Sequence, residues 1–250
     1  MRLLAFAKRN LLELVKDPLA SVFFIVFPTV LFVVLQVLFK AMGNNVTDVP
    51  QFNIDHMTCS MVIFSFSFIT IFVGNNFASD RESSFLLRLK STPMTSLDFI
   101  FGYTLSVFPI VIVQELLMIV IGLCFGLTFS LNLLLVMLLL FPVSLLFIGL
   151  GLLLGSLVSS KGVGPLSSIG PTACGLLGGM FFPLQLMPEN NAFRIICNIL
   201  PFAPSIESAN MVLNGDYNII FKYLIAIGYT IVLYSISALI ISYRLKHDKI

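Results

Sequence analysis

Asp80-Arg81-Glu82-Ser83-Ser84-Phe85-Leu86-Leu87-Arg88-Leu89-Lys90-Ser91-Thr92-Pro93-Met94-Thr95-Ser96-Leu97-Asp98 decides how this chain is read. The stretch is charged and helix-prone, and it is wedged between two long apolar runs. Each ion would cost roughly 2.5–3.5 kcal/mol at the centre of a bilayer. The stretch therefore has to leave the lipid and stand on one membrane face as a short amphipathic element within reach of a soluble partner. On this reading the chain is a membrane machine driven from outside itself.

The residues around it agree. Of 250 residues 58% are hydrophobic and 10% are charged, against roughly 25% charged in a soluble domain, and the mean hydropathy is +1.04. That places the chain in the multi-span membrane class. Six segments reach the roughly 20 residues that a bilayer core demands, near 18–40, 57–79, 99–127, 131–158, 163–186 and 219–243. The first is too long for a signal peptide and lacks a small-residue cleavage site, so it is expected to be retained. The expected fold is an all-α polytopic membrane protein, a single transmembrane domain over 1–250.

Orientation follows from the basic residues. With a cytosolic amino terminus the inner side holds Arg2, Lys8, Arg9, Lys16, Arg81, Arg88, Lys90, Lys161, Arg244, Lys246 and Lys249. The outer side holds Lys40, Arg194 and Lys222. Eleven against three puts both termini inside, which an even number of spans requires. Residues 1–17 form a separate element. Leu3, Leu4, Ala7, Leu11, Leu14 and Val15 share one side of a helical wheel, and Arg2, Arg9, Glu13 and Lys16 the other, with Phe6 out of pattern on the polar side. This is a helix lying in the headgroup layer, broken from the first span at Asp17-Pro18.

On the outer side, spans three and four are expected to form a tight hairpin. The segment 187–218 and the run leading into it are punctuated by prolines: Phe181-Phe182-Pro183-Leu184, Met187-Pro188, Asn198-Ile199-Leu200-Pro201. Their apolar pieces are too short to span. They suit interfacial or re-entrant helices, either a structural lid or an outer gate built from Phe181, Phe182, Pro183, Met187 and Pro188. Gly149, Gly151, Gly155 and Ser156 in span four permit close helix contact, as do Gly170, Gly175, Gly178 and Gly179 in span five. Pro165 and Pro171 add the possibility of bending there. Gln114-Glu115 lies midway along span three, where an ionisable group is costly. Glu115 either faces a transport pathway or is hydrogen-bonded as structure. Asn75 and Asn76 either line an inner vestibule or cap the turn that follows.

Several chemistries are excluded or disfavoured. There is no Gly-x-x-x-x-Gly-Lys-Ser/Thr run, so the chain is expected not to be an enzyme. His56 and His247 lie far apart, and Cys59, Cys124, Cys174 and Cys197 have no metal-like spacing.

Three features give a resemblance over nearly the full length. One is Asp80-Arg81-Glu82-Ser83 through Arg88-Leu89-Lys90-Ser91-Thr92-Pro93. The second is Phe181-Phe182-Pro183-Leu184 with Met187-Pro188 and Asn198-Ile199-Leu200-Pro201. The third is the order itself: interfacial helix, five spans, outer helices, sixth span. Together they resemble the permeases of the type-2 ATP-binding-cassette transporter family. The resemblance implies that residues 80–98 contain a coupling helix seated in a groove of a separate ATPase. Its apolar anchor would be Phe85, Leu86 and Leu89, with Glu82, Arg88, Lys90 and Thr92 as polar contacts and Pro93 fixing the turn. It further implies two ATPase subunits that bind ATP and Mg, a second permease chain, identical or paralogous, and a place in the bacterial plasma membrane. No cofactor is expected in this chain, and no nucleic-acid partner. The implied function is export of a hydrophobic or amphipathic cargo such as a drug, antimicrobial peptide or lipid. An ion-coupled secondary transporter and a non-transporting membrane scaffold or sensor are the alternatives.

Overall fold

A computed structural model describes residues 2–17, 22–42, 49–83, 96–182 and 184–247. All helices and turns, with no strand among the described residues, it runs as follows: α1 (Arg2–Lys16), α2 (Val22–Met42), α3 (Ile54–Glu82), α4 (Ser96–Phe125), α5 (Leu131–Leu157), α6 (Ser160–Ser167), α7 (Ile169–Leu177), α8 (Ala192–Ile199), α9 (Phe202–Leu213) and α10 (Ile220–His247). Five of these, α2, α3, α4, α5 and α10, are long and apolar enough to cross a membrane.

The axis of the bundle is α3. Its most apolar window is 89% buried, against 22% for α2 and 17% for α10, so those two lie at the periphery. Burial on all sides requires that every polar group find a partner within the protein. Hydroxyls of Ser60, Ser65 and Ser67 donate to the carbonyls of His56, Val62 and Phe64 on their own helix. The Thr70 hydroxyl donates across to the Phe147 carbonyl of α5 at 3.1 Å. Back-bonding of this kind bends helices, and α3 is interrupted at Phe68, directly after Ser65 and Ser67.

Glycines set the approach of α5. A Cβ at Gly151 would stand 2.8 Å from the Thr70 carbonyl oxygen, and one at Gly155 2.6 Å from that of Gly74. The two helices thus run in parallel, backbone on backbone, as small residues allow in an apolar medium. The chain then turns at Val158–Ser159 and returns along α3. Val163 and Ser167 of α6 face Gly74, and Gly170 and Gly175 of α7 face Thr70 and Phe64.

The expected fifth span, 163–186, is built in two pieces. Helix α6 ends at Ser168, α7 ends at Leu177, and a turn at Gly178–Gly179 follows, with Gly179 at φ +76°. Pro165 and Pro171 cannot donate backbone hydrogen bonds, and the left-handed residue at Gly179 stops the helix well short of 186. The α4–α5 hairpin is as tight as expected: Gly126, at φ +117°, opens a short connection to Leu131.

The proline-punctuated region forms α8 and α9. Phe202, at the start of α9, stacks on Phe147 with ring centroids 6.0 Å apart. At the other end the Leu213 carbonyl accepts from Asn132, beside the start of α5. Helix α9, 12 residues and so about 18 Å long, therefore runs antiparallel to α5. Ala203, Ile206, Ala209 and Val212 of α9 are buried in the bundle, whereas α8 buries only Cys197.

Helix α1 corrects one expectation. Phe6 is buried, not out of pattern, with its ring against Phe99 and Tyr103 at centroid distances of 5.9 and 5.2 Å. The buried stripe is Phe6, Ala7, Asn10 and Leu14, whereas Leu4 and Val15 are exposed. The helix has a protein-facing edge as well as an apolar face for lipid.

Candidate functional site

Three consecutive residues at the end of α3 grip three different parts of the bundle. Successive side chains on a helix point about 100° apart, so a short charged run can reach three ways at once. Asp80, buried, receives both guanidinium nitrogens of Arg9 at 3.0 and 3.1 Å and the Tyr103 hydroxyl at 2.5 Å. It thus ties α1 and α4 to α3. Arg9 is also paired with Glu13 at 2.7 Å. Burial works against the Arg9 charge, but the hydrogen-bonded Asp80 outweighs it and holds the guanidinium pKa above its ordinary value.

Arg81 donates to the carbonyls of Ser156 and Val158, both at 2.7 Å. These belong to the last turn of α5, where carbonyls lack helical partners and a cation is favoured. Glu82 accepts from the backbone N–H of Ser160 at 2.8 Å and from its hydroxyl. This places a carboxylate on the first turn of α6, the complementary end. Helices α1, α4, α5 and α6 are in this way tied to the last turn of α3, directly before residues 84–95.

A groove opens on another side of α3. One cavity of about 340 Å³ is lined by Asp17, Asn75, Asn76 and a set of phenylalanines that includes Phe23, Phe24 and Phe72. A second, of about 490 Å³, adjoins it along Phe23, Phe68 and Ile71 and continues to Thr172, Leu176 and Phe181. Its walls come from the first turns of α2, the middle of α3 and the broken α6–α7 pair. The first turn of α2, Val22–Val26, is a π-helix, a wide turn often found at functional positions. Phe68 sits among its neighbours as a ring cluster, 5.5 Å from Phe27 and 5.3 Å from Phe64.

The family model of the ABC-2 type transporter matches residues 1–213. The chain belongs to the ABC-2 type transporter family. Among curated proteins, none matches it. The match ends with α9, so it takes in α1, the hub at Asp80–Glu82, the groove and helices α8 and α9. The protein is accordingly an ABC transporter permease, embedded in a membrane through its apolar helices.

The remaining expected residues of this ABC-2 permease fall in distinct places. Phe85, Leu86, Arg88, Leu89, Lys90, Thr92 and Pro93 lie outside the described residues, as does Pro183. Glu82 is engaged with α6. Asn75 and Asn76 line the groove, and Phe181 lines its far end. Phe182 meets Phe193 edge-on at 6.1 Å, Met187 packs in the small cluster with Leu184, Cys197 and Ala203, and its carbonyl accepts from Arg194. Pro188 is exposed in the turn before α8, where its carbonyl accepts from Asn191. Gln114 and Glu115 are buried inside the chain, 0% and 3% exposed, and neither lines the groove. Among the described residues the Gln114 amide and one Glu115 oxygen have no hydrogen-bond partner.

Sequence reasoning missed the partners of the hub. Arg9 reads as a solvated charge and Tyr103 as one more aromatic of a span. A usable signal was present: Asp80 ends one span and Tyr103 sits two turns into the next, so the two fall at matched depth.

Proposed function

We propose that this permease is the membrane-spanning half of an ATP-driven exporter and moves a hydrophobic or amphipathic cargo out of the cell. The observation that carries the reading is the hub. Residues 84–95 follow directly on Glu82, and any displacement of that segment pulls on Asp80, Arg81 and Glu82. Their partners sit on α1, α4, α5 and α6. A push delivered by a soluble ATPase is thereby distributed to four helices together, one of which, α6, runs on at Ser168 into the wall of the groove. Hydrogen-bonded and close-packed groups transmit small shifts without absorbing them.

In this reading two ATPase subunits bind ATP and Mg and this chain hydrolyses nothing. Phe85, Leu86 and Leu89 seat in the ATPase, with Arg88, Lys90 and Thr92 at the rim and Pro93 ending the element. A second permease chain closes the groove into a pathway. The six-crossing topology counts α6 and α7 as one broken crossing, with α8 and α9 dipping in from the outer side. The excess of Lys and Arg on the Glu82 side supports cytosolic termini, and a bacterial plasma membrane is the expected location. Phe181, at the far end of the groove, is suited to an outer gate.

The test is co-purification with the ATPase encoded beside it, followed by substrate-stimulated ATP turnover with and without Phe85→Ala/Arg88→Ala. A stable complex whose stimulated turnover collapses in the double variant is the expected result. A pair that neither associates nor couples would remove the mechanical basis of the reading. The ion-coupled alternative, which rests on buried Glu115, would then take its place.

A further inference from the structure

Another groove lies between α4 and α10. Its cavity of about 540 Å³ is lined by Phe101, Leu105 and Phe108 of α4, Leu145 of α5, Ile231 of α10 and Leu3 of α1. None of the described lining residues is charged, and the hydroxyls among them are already engaged. The Tyr234 hydroxyl meets that of Thr104 at 3.1 Å, Thr104 donates in turn to the Ile100 carbonyl, and Thr230 donates to the Ala226 carbonyl. An occupant therefore finds no polar group to bond, and an apolar cavity of this kind does not hold water. Its rim faces outward: Phe101 is 56% and Ile231 60% exposed, and α10 is a peripheral helix. For spanning helices that is the side of the lipid, so the groove calls for hydrocarbon.

Depth and charge say which lipid. Phe108 and Thr230 line the groove one turn beyond the Thr104–Tyr234 pair, so α4 and α10 run antiparallel along it. Helix α4 begins at Ser96, eight residues before Thr104, and the same count along α10 from Tyr234 reaches Ser242. At 1.5 Å per residue both walls thus come to the membrane surface roughly 12 Å from the hydroxyl pair. At that level α10 carries Arg244 and Lys246, and α1, which supplies Leu3, carries Arg2 and Lys8. They outnumber Asp98, the acidic residue in the first turn of α4, while Arg9 and Glu13 are taken up in the hub with Asp80. Such an excess of basic residues attracts anionic headgroups. We propose that this groove holds an acyl chain of an anionic phospholipid, its phosphate at the basic ends of α1 and α10. The chain lies against walls from α4, α5 and α10 rather than on one convex helix face, which sets it apart from the lipid surrounding the rest of the bundle. The inference is independent of any cargo or ATPase.

The chain contains no tryptophan, so a single introduced indole reports from one place. Ile231→Trp puts it at the rim of the groove. Leu239→Trp puts it on the same helix, nearer Arg244 and Lys246, at a position that is 70% exposed and does not line the groove. Each full-length variant is reconstituted into bilayers of phosphatidylcholine and phosphatidylglycerol, with one lipid at a time carrying brominated chains. Quenching then gives the relative affinity of the two lipids at each indole. Phosphatidylglycerol should be favoured about fivefold at Ile231→Trp, the effect of one basic residue near a membrane surface, and about twofold or less at Leu239→Trp. In the Ile231→Trp background, Lys8→Gln with Arg244→Gln should bring the ratio close to one. Thr230→Phe fills the groove from its own wall and should do the same without touching a charge, which keeps the test decisive if the charge variant folds badly. The proposal is overturned if the two indoles give the same ratio, which would mean a diffuse anionic halo around the chain. It is overturned equally if the preference survives both changes, or if neither brominated lipid quenches Ile231→Trp, as when a second copy of the chain covers the groove.

Discussion

Asp80→Asn keeps the shape of the side chain and removes the charge that α1 and α4 both hold. Two guanidinium contacts at 3.0 and 3.1 Å and one phenol contact converge on that carboxylate. At roughly 3 Å and an effective dielectric constant of about 20, the gross attraction is about 5–6 kcal/mol. Most of it is offset. The Arg9 side chain is 33% exposed and keeps Glu13 as a second partner, whereas Asp80 is only 9% exposed. A net loss of about 2 kcal/mol is therefore expected for Asp80→Asn, in the range for a hydrogen bond to a charged group. In a cycle with Arg9→Gln the coupling should be about 1 kcal/mol, since the pair is half-buried rather than exposed. For a chain of this length that loss lowers Tm by roughly 4–8 °C. The assay is thermal unfolding in detergent followed by a thiol-reactive dye. Cys59, Cys174 and Cys197 are buried and report unfolding, in a Cys124→Ser background that removes the exposed thiol. Additive effects of the two substitutions, within about 0.3–0.5 kcal/mol, would refute the claim that Asp80 clamps α1 through Arg9.

The same melt tests the backbone contact between α3 and α5. Gly155→Ala would put a methyl 2.6 Å from the Gly74 carbonyl oxygen, and should cost about 1–3 kcal/mol as overpacking. Gly228→Ala, whose new methyl meets nothing within 4 Å, should leave Tm unchanged or slightly raised; equal effects would sink the close-approach argument. Phe202→Ala removes the ring that stacks on Phe147 at the deep end of α9. It should loosen α8 and α9 and expose Cys197, now 0% accessible, to a polar thiol reagent. Labelling of Cys197 no faster than in the parent would mean that the stack does not seat α8 and α9.

Much of the site was legible because membrane physics leaves few choices. The prolines and glycines around 163–204 had to break helices, as the ends of α6 and α7 and the turn at Gly179 show. The break between α6 and α7 was anticipated as bending, yet the stop at Gly179 was not, because a left-handed turn leaves no mark in hydropathy. Asn75, Asn76 and Phe181 were picked as candidates and do meet a single groove. Glu115 shows the opposite limit. Its cost in lipid marks it as noteworthy from sequence alone, but only packing shows that it is buried within the chain and away from the groove.

The sequence by itself determined that the chain is a membrane-embedded helical protein of the ABC-2 type. Apolar length and charge cost act locally, residue by residue, so they can be read along a string. Phe6 as an anchor, Arg9 on Asp80, Arg81 on the end of α5 and Glu82 on the start of α6 were decided only by tertiary structure. Each depends on where a side chain from a distant helix arrives, and that is fixed by how closely glycines let α3, α5 and α6 approach.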